Sequence, residues 1–220
     1  MKGLCVVLVI AVLACVRAED DELIQRINGW ADEFIEKATN DSGGFIDPLP
    51  LDNLGKSFER EVGFVKVKGE AKLYDGKIFG LSSLKRVGDA VAIDLEDFYI
   101  ISTTLTFKKI HATYKGTVTV NNIGPQVTLD AKVGRSKVSM FLTAPAEGGK
   151  AELMSFTIHE MKDIRVNIKG LGPMGWSASI ISTLVLNAME KQVAKAASVA
   201  VFEHFSKEID KVPFPGPTEQ

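Results

Sequence analysis

Residues 177–211, SASIISTLVLNAMEKQVAKAASVAVFEHFSKEIDK, run for 35 residues without a glycine or a proline. The stretch reads as one helix, and at 1.5 Å per residue it would be about 50 Å long, more than the width of a compact domain of this size. Its first half (Ile180, Ile181, Leu184, Val185, Leu186, Ala188, Met189) is apolar nearly all round. Its second half narrows to a stripe near Phe202, Phe205 and Ile209. A helix that is apolar around much of its surface has to be enclosed. The fold therefore turns on what encloses this one. Beyond it, Val212-Pro213-Phe214-Pro215-Gly216-Pro217 stops the helix, and 212–220 reads as a frayed tail.

Upstream the period is 2. Val65, Val67, Ala71 and Leu73 alternate with Lys66, Lys68, Glu70 and Lys72, the pattern of a strand with one wet face. Asp75-Gly76 reads as a tight hairpin. Val91, Ile93 and Leu95, then Ile101, Thr103, Leu105 and Phe107, then Thr117–Val120, continue the alternation. Val127–Val133 is expected to pair with Val138–Leu142 across Gly134-Arg135, and Glu147–Lys150 is a further turn. Ala151–His159 and Ile164–Lys169 are the last strands. A single strand block admits no βαβ crossover, so the helices are expected on the one apolar face of the sheet. A flat sheet covers a 50 Å helix poorly, whereas a strongly twisted one can roll around it. The expected class is α+β: a strongly curved antiparallel sheet wrapped around a long C-terminal helix, with a second, N-terminal amphipathic helix.

That second helix is Asp21–Ala38. Leu23, Ile24, Ile27, Trp30, Ala31, Phe34, Ile35 and Ala38 share an arc of about 140°. Asp20, Asp21 and Glu22 suit the positive end of its dipole, and Asn40, Gly43 and Gly44 stop it. Asp47-Pro48-Leu49-Pro50 reads as a loop. Before this helix, residues 1–18 have the form of a secretory signal peptide. Lys2 starts it, Leu4–Val16 is too short to span a bilayer, and Val16-Arg17-Ala18 suits cleavage before Glu19. The expected organisation is signal 1–18, one domain 19–211 and the tail, in a secreted, extracellular protein.

Both cysteines, Cys5 and Cys15, lie in the signal, so the mature chain would have no disulfide, cysteine nucleophile or thiolate metal site. The formal charge of −2 becomes about −4 once Lys2 and Arg17 are gone, which implies no general attraction to nucleic acid. Asn40-Asp41-Ser42 is the one N-glycosylation sequon, placed in an expected loop.

Chemistry-bearing patterns are few. Gly170-Leu171-Gly172-Pro173-Met174-Gly175 fits G-x-G-x-x-G, but no strand follows the next helix and Glu190 lies mid-helix, so it reads as a turn from sheet to helix. His111, His159 and His204 are scattered, and Asp163 stands where a second histidine of H-E-x-x-H belongs. Carboxylate pairs such as Asp32/Glu33 sit on a polar helix face. No nucleophile, base and orienting group come together, so no enzyme, cofactor or metal is expected.

Phe58-Glu59-Arg60, Gly63, Lys68-Gly69-Glu70, Gly80-Leu81 and Lys85-Arg86-Val87-Gly88-Asp89-Ala90 resemble the group 7 mite allergens and their arthropod relatives. The close match covers some thirty residues; elsewhere it is one of element order and length. The resemblance implies the fold of the bactericidal/permeability-increasing protein (TULIP) superfamily, a curved sheet on a long helix beside an apolar lipid cavity. Juvenile-hormone-binding and takeout proteins share that fold but usually carry an N-terminal disulfide, which this chain lacks.

From the apolar pattern and this resemblance together, the expected function is a secreted carrier of small hydrophobic ligands such as fatty acids, terpenoids or bacterial lipids. The cavity would be lined by Leu23, Ile27, Trp30 and Phe34 of the first helix and Val65, Val67, Leu105 and Phe107 of the sheet. Ile181, Leu184, Val185, Met189 and Val193 of the long helix would complete it. The alternative is an innate-recognition protein binding microbial surface lipids or partner proteins. Lys85, Arg86, Lys108 and Lys109 are then the candidate headgroup contacts, though a solvated surface is the simpler reading of such clusters. Neither reading includes nucleic acid or stable membrane insertion. The oligomeric state stays open.

Overall fold

The computed structural model describes residues 2–40, 47–62 and 64–217, with 2–20, 60, 62 and 65 described as backbone alone. Helix α1 spans Lys2–Asn40, so it runs on through the segment read as a signal rather than starting at Asp21. Asn40 is the exposed last residue of this helix instead of a loop residue, and the rest of its sequon lies outside the described residues.

Eleven strands are described: β1 (Leu49–Leu51), β2 (Leu54–Val62), β3 (Val65–Phe79), β4 (Leu84–Arg86), β5 (Val91–Asp94), β6 (Phe98–Phe107), β7 (His111–Val120), β8 (Gln126–Lys132), β9 (Arg135–Pro145), β10 (Glu152–Lys162) and β11 (Arg165–Lys169). They form two antiparallel sheets where one was expected. Sheet A has six strands in the order β1-β3-β7-β8-β11, with β2 also on β3, and sheet B has five in the order β10-β9-β6-β4, with β5 also on β6. The chain passes back and forth between the sheets, which overturns the expected pairing of 127–133 with 138–142. Strand β8 joins β7 and β11, while β9 joins β6 and β10. Gly134-Arg135 is therefore a crossover. Alternation marks which face of a strand is apolar but not which neighbour it finds.

Three further expectations change. Asp75-Gly76 is a bulge inside the 15-residue β3, with Asp75 at φ 53, and not a hairpin. Asp47–Pro50 leads into a strand, β1, which accommodates Pro50 at a sheet edge. In β5 the face is reversed: Val91 and Ile93 point to solvent and Ala92 is half-buried, packed on the core.

The long helix is confirmed as a continuous rod with three parts. A tight 3-10 turn at Gly172–Ser177 leads into α2 (Ala178–Ala188), a π-helical segment (Met189–Val193) and α3 (Ala194–Glu208). Ile181, Val185, Met189, Val193, Ala197, Val201, Phe205 and Ile209 recur every fourth residue, and each is at most 2% exposed. In a regular helix each such step overshoots a turn by about 40°, so the buried stripe winds around the rod. The π segment closes its hydrogen bonds over five residues instead of four and takes back part of that rotation. The two ends accordingly bury against different partners. Helix α2 touches β2 and β11, at opposite edges of sheet A, so that sheet curls about it. Helix α3 lies along β10 of sheet B and meets α1.

The chain just after the rod is packed, in contrast to the expected frayed tail 212–220, of which 218–220 lie outside the described residues. Val212 and Phe214 are buried, and Phe214 forms an antiparallel bridge with Gly149.

Candidate functional site

Helix α1 is held over sheet B by the sequence block that carried the family resemblance. Asn28, 6% exposed, accepts a hydrogen bond from Ala90 N–H through Oδ1 and donates through Nδ2 to Asp89 Oδ1, both at 2.9 Å. Arg86 makes a two-pronged pair with Asp32 at 3.0 and 2.7 Å and donates to the Gly88 carbonyl. Arg86 thus belongs to this latch and is not a free headgroup contact, while Lys85, Lys108 and Lys109 stay exposed. Two other matched residues, Gly80 and Gly69, also have structural roles. Gly80 has φ 83, and a Cβ there would meet the Lys109 carbonyl oxygen at 2.2 Å. Its N–H donates to Asp47, whose carboxylate also accepts from the backbone N–H and hydroxyl of Ser82. At Gly69 a Cβ would strike the Phe58 ring.

The expected lining residues fall into two neighbourhoods. In the first, Trp30 and Phe34 stack at 5.9 Å, Phe34 meets Phe205 edge-on at 5.1 Å, and Phe205 meets Phe156 at 5.8 Å. Phe214 sits edge-on to Trp30 at 5.2 Å, and the Trp30 indole N–H donates to the Val212 carbonyl at 3.0 Å. Leu105 and Phe107 lie on the same inward face of β6, opposite β4. In the second, Ile181 and Val185 lie on α2, which packs on sheet A, and Met189 and Val193 lie on the π segment, which packs on β10 of sheet B.

A side chain with no accessible surface borders no space large enough for a water molecule. Ile27, Phe34, Leu105, Ile181 and Met189 have none, and Trp30, Phe107, Val185 and Val193 keep 5% or less. These nine fill the core. Leu23, Val67 and Leu184 are half-buried and do keep surface. The side chain of Val65 lies outside the described residues.

Among the described residues, two apolar places keep surface. At the entry of the rod, Phe58 and Trp176 meet edge-on at 5.7 Å beside half-buried Met174 and Ala178. Gly170 (φ 93) and Gly172 (φ 50) of the glycine-rich turn make that entry. The second is a crevice of about 550 Å³ between α3, the start of β1 and the turn at Leu81. Leu49, Leu81, Ala196, Val199 and Ala200 are among its lining residues, with Lys195, Glu203 and Lys207 beside them. That volume falls within the range of small-molecule sites. Sequence reasoning missed the crevice because it joins a helix face to two segments more than a hundred residues away. The one available signal was the run of small side chains at 194, 196, 197 and 200, which leaves room beside the helix. His204 at its edge donates through Nε2 to the Ala38 carbonyl at 2.9 Å, and His111 stacks on Phe79.

Tyr114, on the inner face of β7, is 3% exposed, and burial, with the nearby Asp52 charge, pushes its pKa up from 10 to about 12. Stability from this group is complete below pH 10. It is lost as pH rises from about 10 to about 12, where the unfolded chain ionises first. Two units correspond to roughly 2 kcal/mol after allowance for partial solvation. Urea unfolding of the wild type between pH 9 and 11.5 should show that loss, and Tyr114→Phe should remove this part of the pH dependence.

Two antiparallel sheets curled about one long helix define the fold of the TULIP class. The chain superposes on lipopolysaccharide binding protein with a TM-score of 0.51 and 15% identity, over 85% of this chain and 38% of that one. It belongs to the Group 7 allergen family, whose model matches residues 26–204. It is 22% identical to mite allergen Der p 7 of Dermatophagoides pteronyssinus over 194 residues, 87% of this chain and 88% of that protein. It is 25% identical to mite allergen Lep d 7 of Lepidoglyphus destructor over 187 residues, 84% and 85% of the two chains.

Proposed function

We propose that the chain is an extracellular carrier of small hydrophobic ligands, fatty acids or terpenoids among them, which acts by sequestration. The observation that carries this reading is the α3 crevice, an apolar floor with Lys195 and Lys207 at its rim beside Asp52 and Glu203. A fatty acid would lay its chain along Leu49, Val199 and Ala200 and its carboxylate toward Lys195 or Lys207. Each buried CH₂ contributes roughly 0.8 kcal/mol, so a twelve-carbon chain gains about 10 kcal/mol before ordering costs. Micromolar affinity with low selectivity follows. Leu23, Val67 and Leu184, the expected lining residues that keep surface, do not line this crevice. The shared fold with a protein named for lipopolysaccharide binding is consistent with a lipid ligand. Cleavage of residues 1–18 is part of the proposal, and it would leave Glu19, Asp20, Asp21 and Glu22 in the first turn of α1, where the helix dipole favours them. No helix of the described residues is long and apolar enough to cross a membrane. The recognition alternative has less support, since Arg86 is held by Asp32.

Native mass spectrometry of protein from its natural source, with lipid identification, tests the reading. Bound lipid, displaceable by a fluorescent fatty acid, is expected. Val199→Trp, which fills the crevice from an exposed position, should weaken the probe at least tenfold. A clean apo mass together with no probe binding would sink the proposal, and tight probe binding by Val199→Trp would move the site elsewhere.

A further inference from the structure

The outward face of sheet A is the face turned away from the rod. It carries a groove of about 1160 Å³ crossing β3, β7, β8 and β11. Register fixes who stands beside whom. Arg165 on β11 is directly opposite Lys132 on β8. Lys115, Thr128 and Lys169 form a second row, and Thr113, Asp130 and Asn167 a third. Lys77 of β3 joins from the side, opposite Thr113. Lys115 is paired with Asp75 at 3.1 Å. Among the described residues Lys77, Lys132, Arg165 and Lys169 form no ion pair within 4 Å, and Asp130 is the one other acid lining the groove. Arg165 also feels Asp163, which Arg135 already binds.

This arrangement runs against the rest of the molecule. The chain has more acids than bases, 28 against 26, yet the groove gathers five cations and two acids. Like charges directly opposite each other on neighbouring strands destabilise a sheet, and Lys132 and Arg165 are such a pair. Neighbouring strands lie about 4.8 Å apart, so the cations are spread across roughly 15 Å and do not converge on one point. A single phosphate could neutralise only part of such a set. An occupant with several negative charges along an extended chain could meet all of it. Threonine and asparagine side chains stand between the cations, donors and acceptors suited to sugar hydroxyls. The aromatic rings at this end, Phe79 and His111, are stacked on each other, which occupies one face of each.

We propose that the outer face of sheet A is a second binding site, separate from the apolar crevice, which takes an acidic polysaccharide chain through Lys77, Lys132, Arg165 and Lys169. The site is electrostatic and hydroxyl-reading, so binding weakens with salt.

The experiment titrates a size-defined sulfated heparin hexasaccharide into the full-length protein by calorimetry at 50 and 300 mM salt. The same titration is made with Lys132→Glu, Lys132→Glu/Arg165→Glu and, as a control on the other basic clusters, Lys85→Glu/Lys108→Glu. Binding at low salt, at least fivefold weaker at high salt, is expected. The double groove variant should lose at least tenfold in affinity and the control less than twofold. Lys132→Glu sets an acid opposite Arg165, so it should raise the urea midpoint while lowering affinity, which separates a lost site from a damaged fold. Unchanged binding by the double groove variant overturns the proposal. So does equal affinity for an uncharged hexasaccharide, or for single-stranded DNA of matched charge.

Discussion

Replacing Phe205 by alanine is expected to remove about 3–5 kcal/mol of stability, the range for deleting a buried phenylalanine from a core that cannot collapse around the gap. Phe205 has no accessible surface and is touched edge-on by Phe34 from α1 and by Phe156 from β10. It is thus where the first helix, sheet B and the rod meet. Each edge-on ring contact adds about 0.5–1.5 kcal/mol beyond area. A domain of this size has about 5–15 kcal/mol in total, so a large fraction would be lost and the urea midpoint should fall steeply. Phe202, three residues earlier on the same helix and only half-buried, is the control. Phe202→Ala should cost clearly less. Equal losses for the two would mean that the rod is not seated as described.

The second large effect belongs to Asn28. Its amide satisfies the Ala90 N–H and holds the Asp89 carboxylate, each at 2.9 Å. Asn28→Ala leaves a buried N–H without an acceptor and removes a bond to a charged group. Together these amount to about 2–4 kcal/mol. Asn28→Asp is more discriminating. It keeps an acceptor for Ala90 but sets a carboxylate against Asp89, so one of the two must hold a proton. Its deficit relative to wild type should be large at pH 7 and shrink as pH falls toward 4. If Asn28→Asp is as stable as wild type at pH 7, the latch is wrong.

These two residues also show how far the sequence could be read. Asn28 lies on the edge of an otherwise apolar helical face, and nothing in its neighbours announces Asp89 and Ala90 some sixty residues on. Family-block residues such as Arg86 and Gly80 could be picked out by spacing, but their work, holding α1 and letting the backbone pass Lys109, depends on contacts across the fold. The long helix, the strands and their wet faces were legible because periods of 3.6 and 2 are written locally. The division into two sheets was not, because β8 and β9 are each compatible with several neighbours. Val91 and Ile93 were misassigned for a related reason. In a four-residue edge strand the register set by β6 decides which face is buried, and it turned the larger side chains outward. For the site, apolar patterning identified residues that leave water but could not say whether they meet each other or a ligand. Nine of the thirteen expected lining positions are packed in the core.

The winding stripe from Ile181 to Ile209 makes the rod a screw seated in a nut. Advancing it by one four-residue notch, about 6 Å, requires turning it by about 40°. It cannot be drawn lengthwise like a piston, and a change at the α2 end reaches α3 as torque. The same geometry sets a tolerance on the gene. One residue inserted or deleted between Val185 and Val193 would rotate everything downstream by about 100°, swinging Phe205 out of its ring of aromatics. Only a compensating change in the π segment could restore it.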